Sequence, residues 1–218
     1  MVSSGVALAA TDVNLDGRGD LIRFNDGRIL EVWVQQSHGT FSLHYEDDDR
    51  NNLYWNVIAA NLNNDRWIDI IASSQRQITF WMSDGPKYEK VILDQQDFFP
   101  QAANLIDLNN DDLLDLFVCN DRDTNLLFLQ GPNGCSPTES IDIDYGYTNP
   151  EDFAGDYGSV WFDVNQDGVK DAYISKCFQT AVLPSDNRRI NQFLVSQADG
   201  RYVDQALLWS VNDSAKSW

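Results

Sequence analysis

The sequence is poor in the side chains on which much site chemistry depends: its 218 residues include only two histidines, His38 and His44, and three cysteines, Cys119, Cys135 and Cys177. Zinc clusters and histidine-based catalytic triads are nearly excluded by that shortage. Three cysteines cannot all pair within one chain, and none lies in a CxxC. A Cys135–Cys177 disulfide, a Cys119–Cys177 disulfide and three ordinary thiols all stay open. Positive charge is scarce too, with 15 Lys and Arg against 34 Asp and Glu and a net charge of -19. Nucleic acid is therefore not an expected partner, whereas multivalent cations would relieve the self-repulsion. No apolar run is long enough to span a bilayer, so no membrane insertion is expected. The opening MVSSGVALAATDVN has no basic n-region and reads as no signal peptide. Sustained apolar spacing at i, i+3, i+4 and i+7 is also missing, which argues against helices.

What the chain does have is a repeat. DVNLDGRGD (Asp12 to Asp20), NLNNDRWID (Asn61 to Asp69), DLNNDDLLD (Asp107 to Asp115) and DVNQDGVKD (Asp163 to Asp171) each carry Asp or Asn at position 1, Asn at 3, Asp at 5 and Asp at 9. Their starts lie 49, 46 and 56 residues apart, about the length of a four-stranded propeller blade. An apolar strand precedes each segment (GVALAAT, WNVIAA, AANLI, GSVWF) and another follows it (DLIRF, DIIAS, DLFVC, DAYIS). A third run (ILEVWV, ITFWM, NLLFLQ, INQFLV) then leads, in units one, two and four, to a Gly-aromatic turn: SHGTF, SDGPKY, ADGRY. Unit three carries GPNGCSPTES instead, which makes its outer strand the hardest to place. The expected fold is all-β, a β-propeller of four-stranded blades at about residues 5–46, 54–94, 100–144 and 157–208.

Calcium takes six to eight hard oxygen ligands, and each segment can offer oxygens to one centre. The candidate ligands are the side chains of Asp12, Asn14, Asp16 and Asp20; of Asn61, Asn63, Asp65 and Asp69; of Asp107, Asn109, Asp111 and Asp115; and of Asp163, Asn165, Asp167 and Asp171. To these are added the position-7 carbonyls of Arg18, Trp67, Leu113 and Val169. Gly17 and Gly168 at position 6 suit a left-handed bend; segments two and three place Arg66 and Asp112 there. Up to four Ca2+ ions are expected, with 12–20 and 163–171 the complete segments. Position 12 holds Arg23, Ala72, Val118 and Ile174 rather than the bidentate Glu of an EF-hand, and that motif is rejected.

At these residues the sequence resembles the FG-GAP/VCBS repeats, the calcium-loop blades of integrin-α-like propellers, over nearly its whole length. In unit four, GSVWFDVNQDGVKDAYISKC, NRRINQFLV and ADGRYVDQAL resemble the cartilage acidic protein-like members. The resemblance implies a propeller of about seven blades with calcium loops on one face. It also implies a non-catalytic role in binding protein or carbohydrate or in adhesion, and an extracellular, cell-surface or periplasmic place. The closing SAKSW reads as the first strand of a fifth blade at 213–218; a small ring closed by that strand is the alternative.

Other features have blander readings. Arg18-Gly19-Asp20 is an RGD tripeptide, but its carboxylate falls at position 9. The run Glu46-Asp47-Asp48-Asp49 reads as a solvated connection rather than a cation site. Trp33, Trp81 and Phe128 read as core rather than sugar platforms. Two long connections, SPTESIDIDYGYTNPEDFAGDYG and FQTAVLPSDNRRIN, are where recognition would sit, with Arg188 and Arg189 as a candidate anion contact. A propeller-borne lyase or dehydratase, or a lectin, is the alternative to a binding module, though no cluster of acid and base groups stands outside the repeats.

Overall fold

The computed structural model describes residues 7–94, 98–131, 134–140, 155–177, 183 and 185–213, with backbone only at 94 and 134–140. The SAKSW strand, most of the connection between units three and four, and the Cys135 side chain lie outside the described residues.

Among the described residues sixteen strands form four antiparallel four-stranded sheets, each a simple meander in chain order. The first sheet is β1 (Leu8–Thr11), β2 (Asp20–Phe24), β3 (Ile29–Gln35) and β4 (Phe41–Asp48). The second is β5 (Tyr54–Ala60), β6 (Asp69–Ser74), β7 (Gln77–Ser83) and β8 (Tyr88–Asp94). The third is β9 (Pro100–Ile106), β10 (Asp115–Asn120), β11 (Leu126–Gly131) and β12 (Gly134–Ser140), so the outer strand of unit three is present. The fourth is β13 (Asp156–Phe162), β14 (Asp171–Lys176), β15 (Gln192–Ser196) and β16 (Tyr202–Asp204). Among the described residues the helical content is one 3-10 turn, Asn187–Arg189.

β-branched and aromatic residues in short runs favour these strands, and Gly at positive φ turns the chain between them. β6 and β10 are buried along their whole length, as expected of central strands covered on both faces. The chain divides into two compact units, residues 1–100 with 132–134, and the remainder. In the first, Ile22, Leu30, Val32, Ile70, Ala72 and Trp81 form the core. Phe24 stacks on Tyr54 with ring centroids 4.5 Å apart, and Tyr54 meets Trp81 edge-on at 5.7 Å. In the second, Phe117, Leu127, Ala172, Ile174 and Leu194 form the core, with Phe117 edge-on to Trp161 at 4.9 Å.

Several expectations change here. Trp81 and Phe128 are core, at 0% and 2% exposure, but Trp33 is half-buried. Strand alternation places its neighbours Val32 and Val34 in the core instead, and the Trp33 indole donates to Glu31 at 2.8 Å. The acidic run is solvated only in part: Glu46 and Asp48 are exposed, whereas Asp47 and Asp49 turn to partners in the first unit. Asp47 accepts from the Trp81 indole at 2.8 Å and from Lys90 at 2.7 Å; Asp49 lies 3.0 Å from Lys90 and accepts from Asn52 and the Tyr54 hydroxyl. Burial pushes the Asp49 carboxyl up, but the bonds from Tyr54, Asn52 and Lys90 outweigh it and hold the group below the usual carboxylate range. Asp48 pairs with Arg50. Cys119 and Cys177 are buried free thiols, so the Cys119–Cys177 bridge is absent. Burial pushes the Cys119 thiol up to about 12, which makes it inert as a nucleophile near neutral pH.

This packing can be tested at two points. Gly85, in the turn between β7 and β8, has φ +103, and an added Cβ would sit 2.8 Å from the Trp67 ring. Gly85→Ala is expected to destabilise by about 1–3 kcal/mol in urea unfolding, from backbone strain and overpacking together; an unchanged midpoint refutes the contact. Asp121 is pushed up to about 6 by burial, against a hydrogen bond from Gln101 and with Asp156 adding to the rise. A carboxyl raised in the folded state contributes stability below its unfolded pKa and loses it as pH rises through the folded one. Asp121→Asn should therefore unfold at a higher temperature than the parent at pH 7.5, with the gap closing by about pH 4. A gap independent of pH would rule this out.

Candidate functional site

Each repeat segment forms the loop between the first and second strand of its sheet, and position 9 is the first residue of the second strand. Position 2 anchors the loop with an apolar side chain: Val13, Leu62 and Leu108 are buried and Val164 is half-buried. Positions 4 and 6 both adopt left-handed backbone: Leu15 and Gly17, Asn64 and Arg66, Asn110 and Asp112, Gln166 and Gly168, with φ between 58 and 91. Sequence reasoning identified position 6 by its glycines and missed position 4, where no glycine marks the bend. The Asn at this position in segments two and three was the available signal, since Asn tolerates this region better than most residues.

These bends turn the loop amides inward onto the side chains. In segment one Asp12 accepts from the amides of Asp16 at 3.0 Å and Gly17 at 2.7 Å, one per carboxylate oxygen. Asn14 Oδ1 accepts from the same Asp16 amide at 3.1 Å, and Asp16 accepts from the Arg18 amide at 3.0 Å. Segment three repeats this: Asp107 takes the amides of Asp111 and Asp112, Asn109 shares the first, and Asp111 takes that of Leu113. Segment four repeats it again with Asp163, Asn165, Asp167 and the amides of Asp167, Gly168 and Val169. Segment two keeps the later part of the pattern, with Asn63 accepting from the Asp65 amide and Asp65 from that of Trp67. It departs at position 1, where Asn61 accepts instead from the Asn63 amide, at 3.3 Å. An amide has one acceptor oxygen where a carboxylate has two, so Asn61 cannot take two amides on separate oxygens.

Position 9 does something else. Asp20, Asp69, Asp115 and Asp171 are all at 0% exposure. One oxygen of each accepts from the position-2 amide: Val13 at 2.9 Å, Leu62 at 2.8 Å, Leu108 at 2.9 Å and Val164 at 2.8 Å. The other accepts from an amide at the end of the third strand: Gln35 at 2.8 Å, Ser83 at 2.7 Å, Gln130 at 2.9 Å and Ser196 at 2.8 Å. Burial pushes Asp69 up to about 6, against its two backbone bonds, and raises Asp115 likewise. The RGD tripeptide cannot present its carboxylate to a receptor from this position.

The donor chemistry of segments one, three and four suits calcium. The oxygens at positions 1 and 3 converge on one amide, every side-chain donor is a hard oxygen, and a carboxylate has about four lone-pair sites of which the amides take two. Segment two lacks the position-1 grip. Among the described residues no three His, Cys, Asp or Glu side chains gather as a metal-holding group, so any cation here would rely on the Asn and backbone oxygens as well. In segment one the Arg18 guanidinium also reaches Asp16. Arg188, a candidate anion contact, is committed to Asp186 at 2.7 Å, and its hydrogen bonds and charge hold that carboxyl down at about 2.

No protein-family model matches the chain, and no curated protein matches it. Among solved structures the chain is similar to BBS1N in complex with ARL6DN. The lead-soaked crystal gives a TM-score of 0.56 at 10% identity over 93% of this chain and 56% of that one. The mercury-soaked crystal gives 0.56 at 9% identity over 92% and 56%. The V. cholerae biofilm matrix protein Bap1 gives 0.47 at 16% identity over 92% of this chain and 30% of that one. The chain spans little more than half the length of BBS1N. At this identity the likeness to BBS1N speaks to fold alone, and it supports a β-propeller.

The position-9 bonds make a prediction that needs no metal. Asp20→Ala strips acceptors from two backbone amides, one of them buried, and is expected to lose about 3 kcal/mol in urea unfolding in EDTA; Asp12→Ala, in the solvent-facing part of the loop, is expected to lose about 1 kcal/mol. Equal losses would overturn the division between a structural and a solvent-facing carboxylate.

Proposed function

We propose that this chain is a non-catalytic calcium-binding repeat module of the FG-GAP/VCBS kind, serving protein or carbohydrate binding or adhesion outside the cytoplasm. The observation that carries the reading is the threefold recurrence of one loop geometry. Segments one, three and four hold their position-1, position-3 and position-5 oxygens in the same pattern of backbone bonds. Calcium, when bound, would neutralise the clustered carboxylates and tie the loop to the sheet. The residues that would hold it are Asp12, Asn14 and Asp16 in the first loop and their counterparts in the third and fourth, with the buried position-9 carboxylates bracing the loop from the sheet side. The second loop is the weakest candidate, because Asn61 carries no charge and grips one amide.

The sheets are proposed as four blades of a larger propeller, in keeping with the 56% of BBS1N that the chain covers. That BBS1N is seen in complex with ARL6DN illustrates a protein-binding role for a related fold only. The acidic charge of -19 favours a setting with abundant divalent cation.

Thermal unfolding in EDTA and across a calcium titration tests the reading. At a free calcium ten times Kd each occupied site adds about 1.4 kcal/mol, so three sites should raise the midpoint by several degrees, saturably and without the same effect from magnesium. Asp163→Asn should remove part of that rise, while Asn61→Ala should leave most of it. Absence of any calcium-dependent shift would sink the calcium part of the proposal and leave the fold standing.

A further inference from the structure

We propose that a recess in the first unit, between the β2–β3 turn, the β4–β5 connection and the β6–β7 turn, binds a doubly charged tetrahedral oxyanion such as sulfate or a phosphate monoester. The recess encloses about 210 Å³, and Arg28 and Arg76 both line it together with Asn51 and Gln75. That is below the volume of a drug-sized ligand pocket and suits the anionic head of a ligand.

Charge is what sets this recess apart. Acidic residues outnumber basic ones 34 to 15, and many described cations are already matched. Arg18, Arg23, Arg50, Lys90, Lys176, Arg188 and Arg201 each lie within 4.0 Å of a carboxylate. Arg28 and Arg76 make no ion pair among the described residues, and both face one concavity. Arg28 gives one long bond, 3.5 Å, to the Arg50 carbonyl, which leaves most of its N–H donors to a ligand. Of the carboxylates in the bordering segments, Asp48 is paired with Arg50 and Asp49 with Lys90, while Asp26, in the β2–β3 turn, lies outside the lining. Two guanidiniums balance a dianion, whereas a single carboxylate would leave one unmatched. Guanidinium groups bind such oxygens through paired N–H donors, and the side-chain amides of Asn51 and Gln75 add further donors.

Both arginines stand on turns whose backbone is held. Asn25 Oδ1 accepts from Gly27 at 2.8 Å and Ile29 at 3.1 Å, and the Arg28 amide donates to the Asn25 carbonyl at 2.8 Å. Arg28 keeps its left-handed backbone, φ 63, within that bracket. Ser74 Oγ accepts from Arg76 at 3.4 Å and Gln77 at 3.2 Å in the facing turn. The backbone of the recess is therefore pre-formed, and what binding has to order is the exposed Arg28 and Arg76 side chains. The inference is independent of the calcium loops.

The test is a chemical-shift titration of the 15N-labelled chain in EDTA, at constant ionic strength, with sodium sulfate, glucose 6-phosphate or sodium acetate. Saturable shifts confined to the turns around Arg28 and Arg76 are expected with sulfate or glucose 6-phosphate and only weakly with acetate. A stronger response to glucose 6-phosphate assigns the site to esters, and one to sulfate assigns it to free anions; both support it. Arg28→Gln and Arg76→Gln should each weaken binding by about tenfold or more. Arg28→Lys should restore part of it, and Arg201→Gln, in the other unit, should have no effect. Unsaturable shifts, equal binding of acetate, or indifference to both Arg substitutions would overturn the proposal. Running the same series with calcium present separates its failure from that of the calcium loops.

Discussion

Every sheet in this protein depends on one buried carboxylate at the start of its second strand. Taking an ionised group out of water is unfavourable unless strong partners replace the lost hydration. Asp20, Asp69, Asp115 and Asp171 each find two backbone amides, one in the loop before them and one at the end of the strand beyond. The bond to the loop sets where the first strand turns; the bond to the third strand fixes how far that strand runs. Because charge-assisted bonds are stronger than neutral ones, this single residue ties the loop after the first strand and the end of the third strand to the start of the second, in addition to the strand ladders.

The rest of the loop follows from that anchor. With position 9 inside, position 2 is drawn down and buries its apolar side chain, and positions 3 to 7 are left as an arch over solvent. Two left-handed residues close the arch and aim its amides at the carboxylates. The arch is braced by its own hydrogen bonds, and its oxygens keep lone pairs that a cation could use. Segment two keeps left-handed backbone at the same two positions, with Arg66 at φ 91, although Asn61 makes neither of the two position-1 bonds.

Acidity serves more than the loops. In the first unit Asp47 and Asp49 clasp Lys90, the Trp81 indole and the Tyr54 hydroxyl, joining the last strand of one sheet to the next sheet. In the second, Lys176 and Asp156 form an ion pair at 3.1 Å with no exposure of either side chain, and Asn125 completes it at 2.6 Å from the second oxygen. A pair so deeply buried is weak evidence of added stability, but removing one partner would strand the other charge.

The all-β class, the four-stranded units and the loops between first and second strands were legible in the sequence, because side-chain alternation and a recurring DxNxD spacing are local properties. The roles within the loop were less so. Position 9 reads in one dimension like positions 1 and 5, yet burial separates it from them, and burial depends on the third strand arriving from 14 to 25 residues away. Arg28 and Arg76 look ordinary in the chain and meet only because two turns and a connection fold to the same place. Local spacing was enough to establish which residues can serve as oxygen donors and how often they recur. Folding in three dimensions settled which of them are committed to the backbone, since partners distant in the chain dictate whether a carboxylate is paired inside or left facing water.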